Sequence, residues 1–364
     1  MKEPKKSHVL IVTDSLNTGG IETYVLNLVK YINKDIYQVS VLVLDKNRLA
    51  LAEEIKKHGA NVIIAQSSNK WYRLRLLFKI VKDSKVDLVH MQIRYTYLIA
   101  IAKMCGAKVI LHSHFAFGQD NMSTIRKKIM LFVIKHCCSK LLACSEDAGK
   151  IMFSGLPYEF VRNGVDFDRF IFDELERVKI RKKYKLNKKH KILVQVGKIN
   201  DRKNPLFSLD ILRELLTISQ DFRLFLIGDG ELTPKVKAKI SELKLNPYVI
   251  MTGSLNDASA YYSASDLLLH PALAEGLPFT LIEAQANGLY CVVSDTVTKD
   301  ANISGKMKFL SLKDAPNHWA HQINHCLIAN MKTARVASLK LARSEYNIKN
   351  SIKQIENIYR EVLN

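Results

Sequence analysis

Glu275 and Glu283 stand eight positions apart around a Gly-Leu-Pro turn, and an apolar-periodic run begins between them. Pro278 suits the first turn of a helix. The backbone N–H groups around Phe279, Thr280 and Leu281 would then lie at a helix N-terminus, where the helix dipole favours a phosphate. Glu283, about one turn in, can accept hydrogen bonds from the vicinal hydroxyls of a ribose. Glu275, ahead of the turn, can reach a sugar held beyond the phosphates. Either glutamate can also serve as a plain helix cap, so the pair alone does not decide the chemistry.

A second segment, Val196–Pro205 (VGKINDRKNP), places Lys198, Arg202 and Lys203 within six residues, directly after a strand-like run and beside Gly197. Three cations so grouped read either as an anion clamp that would neutralise charge building on a departing diphosphate or as a plain solvated loop. Gly228 opens a Gly-Asp-Gly turn after the next strand-like run. Nearer the N-terminus, Gly19-Gly20 opens a helix, which either lets backbone N–H groups approach an anion or is a tight loop with no ligand role. This is not the G-x-G-x-x-G dinucleotide fingerprint, and only Asp45 stands where a ribose-binding acid would end the second strand. His112 and His114, two apart at the end of another strand, point to one face. With no further His or Cys close by in sequence, no metal is expected there. His114 can instead contact a sugar hydroxyl or a reacting carbon.

The elements that must hold these residues are legible from patterning. Short β-branched runs (His8–Thr13, Gln38–Leu44, Asn61–Ala65, Val86–Met91, Lys108–His112, Lys140–Cys144) read as buried parallel strands. Amphipathic stretches such as Ile21–Ile32, Trp71–Lys82 and Thr124–Lys135 alternate with them as crossover helices. A second series runs through Lys191–Gly197, Phe222–Gly228, Tyr248–Thr252, Leu267–Pro271 and Tyr290–Asp295. Between the two series lies the charged segment Phe167–His190, a linker or surface helix. The expectation is two doubly wound α/β domains with ligands at the carboxyl ends of their strands, facing each other across a cleft.

Composition excludes several classes. The 364 residues, 48% hydrophobic and 25% charged, describe a globular chain long enough for two cores. No apolar run approaches the ~20 residues that span a bilayer. The N-terminus has no signal-peptide cleavage pattern. The six cysteines show no C-x-x-C pair and read as free thiols in a reducing cytosol. The charge is unusual: 55 Lys+Arg against 35 Asp+Glu, a formal +20. Up to Lys189 there are 34 basic and 18 acidic residues; beyond it there are 21 and 17. Nucleic acid, an anionic membrane or a phosphorylated substrate can each answer such an excess.

The run Glu275–Gly288 (EGLPFTLIEAQANG) resembles the E-x7-E signature of retaining glycosyltransferase family 4, and in order along the chain Gly19-Gly20, His114, Ser145-Glu146, Asn163-Gly164-Val165-Asp166, the Gly197/Lys198/Lys203 clamp, Gly228-Asp229-Gly230 and Ser294-Asp295 extend the likeness. The subgroup looks like bacterial enzymes of capsular or exopolysaccharide assembly. The resemblance implies a GT-B fold of two Rossmann-like domains. Residues 1–167 would bind acceptor, 168–346 would bind the nucleotide-sugar donor, and helix 347–364 would pack back on the first domain. It implies that Glu283 holds a ribose, Lys198 and Lys203 clamp the diphosphate, Glu275 contacts the donor sugar and His114 lies near the anomeric carbon. Gly20 would approach phosphate or acceptor. The family often has Arg where this chain has Lys198, and Arg202 would compensate. It often has Pro-Ser where this chain has Pro271-Ala272.

The expected reaction is retaining transfer of a hexose from a nucleoside diphosphate sugar, UDP-linked, to a polyprenyl-diphosphate-linked saccharide, with no cofactor and no obligatory metal. Asp166-Phe167-Asp168 spells D-x-D but follows no nucleotide-binding strand, so it is not taken as a metal site. Two basic stretches, Trp71–Lys79 and Arg126–Lys135, combine cations with apolar residues at helical spacing. They fit an anionic membrane interface at the cytoplasmic leaflet, or simply crossover helices packed on a sheet. A sugar-nucleotide epimerase of the same fold is the alternative enzyme. A basic nucleic-acid-binding protein is the alternative of another class, although no recognition-helix, RNP or OB signature is visible and no nucleic-acid partner is expected.

Overall fold

The computed structural model describes residues 6–17, 19–93, 95–114, 123–255, 257–275, 278–330, 335 and 343–364. Thr18, Phe115, Gly276 and Leu277, which belong to the motifs above, lie outside the described residues. The chain packs as two units, Met1–Gly164 with Ile348–Asn364, and Val165–Asn347. The first division therefore falls three residues before position 167. Within the first unit a Cβ on Gly164 would lie 2.5 Å from the Ile348 Cα, so only glycine lets the returning chain pass so closely.

The first unit runs β1 (Ser7–Thr13), α1 (Gly20–Tyr31), β2 (Tyr37–Val43), α2 (Ala52–Lys57), β3 (Asn61–Ile64), α3 (Lys70–Asp83), β4 (Leu88–Met91), α4 (Thr96–Met104), β5 (Lys108–Ser113), α5 (Thr124–Cys137), β6 (Lys140–Ala143), α6 (Glu146–Phe153) and β7 (Glu159–Phe160). Its sheet is parallel, ordered β3-β2-β1-β4-β5-β6-β7. Val9 of β1 sits opposite Val39 on one side and Leu88 on the other. Both faces are covered, which is why β1 reads as an unbroken apolar run rather than an alternation. Leu77, Ile99 and Ile134 from α3, α4 and α5 fill one face. Tyr24, Ile55, Ile352 and Tyr359 fill the other, contributed by α1, α2 and the chain's last helix.

The second unit runs α7 (Phe167–Phe170), α8 (Glu174–Lys183), β8 (Lys191–Val196), α9 (Pro205–Ile218), β9 (Phe222–Ile227), α10 (Thr233–Glu242), β10 (Val249–Gly253), α11 (Ser259–Ala264), β11 (Leu267–His270), α12 (Phe279–Ala286), β12 (Tyr290–Ser294), β13 (Met307–Leu310) and α13 (Pro316–Asn330). Its parallel sheet is ordered β10-β9-β8-β11-β12-β13. The charged segment after position 167 is thus helical, and it belongs to this unit. Assigned by unit, the charges are 28 basic against 15 acidic, and 27 against 20, a milder asymmetry than the sequence halves give. The last helix, α14 (Ile348–Leu363), returns to the first unit, burying Ile348, Ile352, Ile355, Tyr359 and Val362 at three- and four-residue spacing. All six cysteines are free thiols.

In each sheet the strand order reverses once, between β1 and β4 and between β8 and β11. Loops leaving the carboxyl ends of such neighbours diverge and open a crevice.

Candidate active site

In the second unit the loops after β8 and β11 bring the cation segment and the first glutamate into contact. Lys203 Nζ lies 2.7 Å from Glu275 Oε1, with only 12% and 9% of the two side chains exposed. Arg202 Nε approaches the same oxygen at 3.6 Å from a far more open position. The lysine's backbone is fixed at both ends. Its N–H donates to Asn200 Oδ1 at 3.1 Å, and its carbonyl accepts from Gln195 Nε2 at 2.7 Å. Its side chain crosses directly over Gly197, where a Cβ would stand 3.0 Å from the Lys203 Cε and φ is +142°. Gly228, at φ +135°, is required for a related reason: a Cβ there would fall 1.9 Å from the Gly197 carbonyl oxygen. The glycines therefore shape the bed on which Lys203 rests. Beneath it, His270 at the end of β11 is held neutral, first by burial and then by the lysine's charge.

Glu283 sits in α12. Tyr262 of α11 donates its hydroxyl to Glu283 Oε2 at 2.7 Å. Burial raises the carboxyl's pKa above its ordinary value, while that hydrogen bond and the charges of Arg169 and Lys203 partly offset it. Lys203 is thus in electrostatic reach of both glutamates. Pro278 caps α12 without any side-chain hydrogen bond, and the Thr280 hydroxyl at its first turn is buried with no partner. The Leu281 N–H is already given to the Pro278 carbonyl, and its side chain is core. Ser294 and Thr296 both donate to the Ala272 carbonyl, at 2.6 and 2.7 Å, bracing the loop that carries Glu275. Lys198 is placed apart from this group. It pairs with Glu231 at 2.9 Å and is 63% exposed.

The first unit holds a different arrangement. His114, just past β5, meets Gln92 Oε1 through Nε2 at 2.5 Å. Its ring lies 4.1 Å from that of His112, which stacks in turn on His90 of β4 at 5.5 Å. Tyr24 of α1 packs against His112 and His114 at 5.1 and 4.9 Å, and His90 Nδ1 meets the Tyr359 hydroxyl at 2.6 Å. Burial pushes His90 and His114 down to about 3 and His112 well below its ordinary range, so all three rings are neutral. Asn163 lies in hydrogen-bonding reach of the His114 ring and favours its charged form, but burial outweighs it. Gly19 caps α1, and the Glu22 carboxylate folds over it, so near that a Cβ on Gly19 would stand 2.4 Å from Glu22 Oε2. Ser15 donates to the same carboxylate. An anion at Gly19-Gly20 would face that negative charge.

Residues 18–169 match the family described as Glycosyltransferase Family 4, and residues 176–355 match Glycosyl transferases group 1. The chain belongs to the family 4 glycosyltransferases, of GT-B fold. This glycosyltransferase is 26% identical to EpsF of Bacillus subtilis (strain 168), named as a glycosyltransferase, with 97% of this chain and 96% of EpsF aligned. It is 26% identical to the UDP-Gal:alpha-D-GlcNAc-diphosphoundecaprenol alpha-1,3-galactosyltransferase of Escherichia coli, over 60% of each chain. Among solved structures, Anabaena HepE in complex with UDP and glucose superposes with a TM-score of 0.78 over 97% of this chain and 99% of that one, at 17% identity.

The spacing of residues singles out Glu275, Glu283, Arg202, Lys203 and His114, and the structure brings the first four together in the second unit while His114 lies in the first. Spacing does not find Gln195, Asn200, Tyr262, His90, Gln92, Tyr24 or Tyr359. The available signal was positional: Gln92 follows β4 at the strand reversal, and Gln195 is a polar residue inside a buried strand. Among the described residues no group of three or more His, Cys, Asp or Glu is arranged to hold a metal ion. No helix of the described residues is long and apolar enough to cross a membrane. Asp166 and Asp168 of the D-x-D sequence lie at the start of the short helix α7.

Proposed function

We propose that this glycosyltransferase moves a hexose from a UDP-sugar to a lipid-linked, polyprenyl-diphosphate-bearing saccharide in cell-surface polysaccharide synthesis, with retention of anomeric configuration and without an obligatory metal. The observation that carries the reading is the enclosed Lys203–Glu275 pair at the β8/β11 reversal, with Glu283 in reach of the same lysine. In this reading Glu283 accepts from the ribose hydroxyls. Lys203 and Arg202 turn to the diphosphate, assisted by the N-terminus of α12 and Thr280, and Lys198 reaches it on leaving Glu231. Glu275 then holds the hexose. Gly197 and Gly228 allow the close approach, and the neutral His114 contacts a sugar hydroxyl.

The bond from the anomeric carbon to the diphosphate oxygen breaks, and the bond to the acceptor oxygen forms on the same face. The acceptor proton passes to the departing diphosphate, whose charge the cations stabilise. Support for the donor and acceptor classes comes from the E. coli relative's name, which specifies both UDP-Gal and a diphosphoundecaprenol acceptor, and from the UDP in the HepE complex. In this reading the enzyme works at the cytoplasmic leaflet, where such an acceptor would be met.

Thermal unfolding in the presence of UDP-, GDP- and ADP-hexoses is the direct test. A UDP-hexose at saturating concentration should raise Tm, and turnover with an acceptor should persist in EDTA and yield the donor's anomer by NMR. Absence of any nucleotide-sugar stabilisation sinks the reading.

A further inference from the structure

Among the described residues, the Tyr262 hydroxyl makes the only hydrogen bond to the Glu283 carboxylate, at Oε2; Oε1 accepts none from them. The direction of that bond follows from burial. Tyr262 is fully enclosed, and burial, followed by the charge of Glu283, keeps its phenol protonated far beyond the ordinary range, so the hydroxyl donates. The carboxylate depends on that donor. Burial favours the neutral acid, and of the influences that favour the anion Tyr262 is the largest, ahead of Arg169 and Lys203, with Asp257 opposing. The tyrosine is itself held from several sides. Helix α11 is six residues, too short to persist alone, and arginines from outside it take the carbonyls at its end. Arg177 reaches Ser263, Ala264 and Ser265 at 2.9, 3.1 and 3.0 Å, Arg181 reaches Ala264 at 2.9 Å, and Arg335 reaches Ser263 at 3.0 Å. A second tie joins α11 to α12: Asn287, one turn after Glu283, donates to the Ser263 hydroxyl at 3.0 Å. The two helices are thus fixed to each other on either side of the Tyr262–Glu283 bond.

We propose that Tyr262 is a positioning residue for nucleotide recognition: its hydroxyl fixes Oε2 of Glu283 and so turns Oε1 to the ribose hydroxyls of the nucleotide. Packing alone does not call for this pair. A buried phenol can donate to a backbone carbonyl, whereas an enclosed carboxylate is costly unless its charge is used. One oxygen held from inside the fold and one offered to a ligand is an arrangement that uses it. The inference rests on the reading of Glu283 as the ribose acceptor and adds the residue that aims it.

Calorimetric titration of the full-length protein with UDP and with 2′-deoxy-UDP reads the ribose contact as a ratio within one protein, so any change in the folded fraction cancels. The wild-type chain should prefer UDP about tenfold, as loss of a hydrogen bond to a charged group implies. Tyr262→Phe removes one oxygen and keeps the ring's edge contact with Phe170 at 5.9 Å. It should cut the preference to about threefold. Tyr262→Met, flexible enough to fill the same space, is the second variant and should read the same. In Glu283→Ala, which has no carboxylate to aim, the preference should be absent, and adding Tyr262→Phe should change the affinity for either nucleotide no further. Two results overturn the inference. One is a tenfold preference that survives in Tyr262→Phe, including the case where both nucleotides bind more weakly by the same factor, since the tyrosine would then only pack. The other is a further loss of UDP affinity when Tyr262→Phe is added to Glu283→Ala, since the tyrosine would then act without the glutamate. A wild-type chain that binds UDP and 2′-deoxy-UDP equally is a separate failure: it removes the ribose from Glu283, and with it the reading on which the inference stands.

Discussion

The two sheets share a plan, and each opens one crevice where its strand order reverses, but the crevices are furnished in opposite ways. In the second unit the groups at the β8/β11 reversal are charged and in contact: Lys203, Arg202 and Glu275, with Glu283 nearby. In the first unit the side chains packed around the end of β5 are neutral and stacked: His90, His112, His114 and two tyrosines. Charges taken out of water persist only while each keeps its partner, and their geometry is set by hydrogen bonds such as Asn200 and Gln195 to the Lys203 backbone. Imidazoles can be buried without a counter-charge because they shed the proton. The charged site should therefore break when a partner is deleted, and the neutral one when the proton returns.

Deleting a partner gives the largest expected effect. Lys203→Ala strands Glu275 beside a neutral methyl and, on the proposed reading, removes the cation that would face the diphosphate. Turnover should fall by about 10²–10³, the range seen when one preorganised group facing developing charge is lost. Lys203→Arg should recover part of it, because charge is kept while the guanidinium must fit over Gly197. The measurement is the initial rate of UDP release, with circular dichroism to show that the fold is intact. Near-wild-type turnover in folded Lys203→Ala would erase the contrast between the crevices.

Returning the proton tests the other side. The three histidines bind a proton less readily folded than unfolded, since burial holds His90 and His114 at about 3 against an unfolded 6.5. Their contribution is complete above pH 6.5. It is lost as pH falls below that value toward the folded pKa, because there the unfolded chain binds more protons. Each ring should cost up to about 1.4 kcal/mol per pH unit over that window. Denaturant unfolding between neutral pH and pH 5 should show the loss, and His112→Asn should flatten the slope. A pH-independent midpoint over that range would mean that the rings are not buried in neutral form.

A subtler effect is expected at Glu283. Its raised pKa means that the folded chain holds that proton more tightly than the unfolded one, so the cost appears as pH rises from 4.5 through the folded value. At neutral pH Glu283→Gln removes this cost and keeps an acceptor for the Tyr262 hydroxyl. It should raise Tm slightly while weakening UDP-hexose binding about tenfold, since a neutral amide is a poorer partner for ribose hydroxyls. Calorimetry reads both. A variant that loses stability would recast Glu283 as a structural cap.

What the chain disclosed in advance follows the same division. Central strands such as β1 and β8 are buried on both sides, and their unbroken apolar runs place them to within a residue or so. The edge strand β13 carries Lys308 on a half-buried face, and β7 is two residues long at a sheet edge; neither has a pattern that periodicity can detect. The charged residues of the second crevice lie in two short segments with distinctive spacing. The histidine stack draws on β4, β5, α1 and α14, residues more than three hundred positions apart, and only the folded register makes them neighbours. Nor does spacing reveal where a charge points. Three cations in six residues look equivalent in sequence, yet the turn at Asn200 sends Lys203 inward while Lys198 lies on Glu231 at the surface.

That last distinction yields the smallest predicted effect. Lys198 and Glu231 form an exposed, solvent-screened pair, of the kind that adds little to stability. To help the diphosphate, Lys198 must first leave Glu231, so its aid is partly offset by the contact it gives up. Lys198→Ala should lower turnover only about threefold at low salt, and less at high salt, where screening weakens an exposed charge first. Glu231→Gln should act in the opposite direction, freeing the lysine and raising turnover slightly. Steady-state rates at two ionic strengths distinguish the cases. A loss in Lys198→Ala as large as that in Lys203→Ala, insensitive to salt, would show that both lysines work from enclosed positions in the turning-over enzyme.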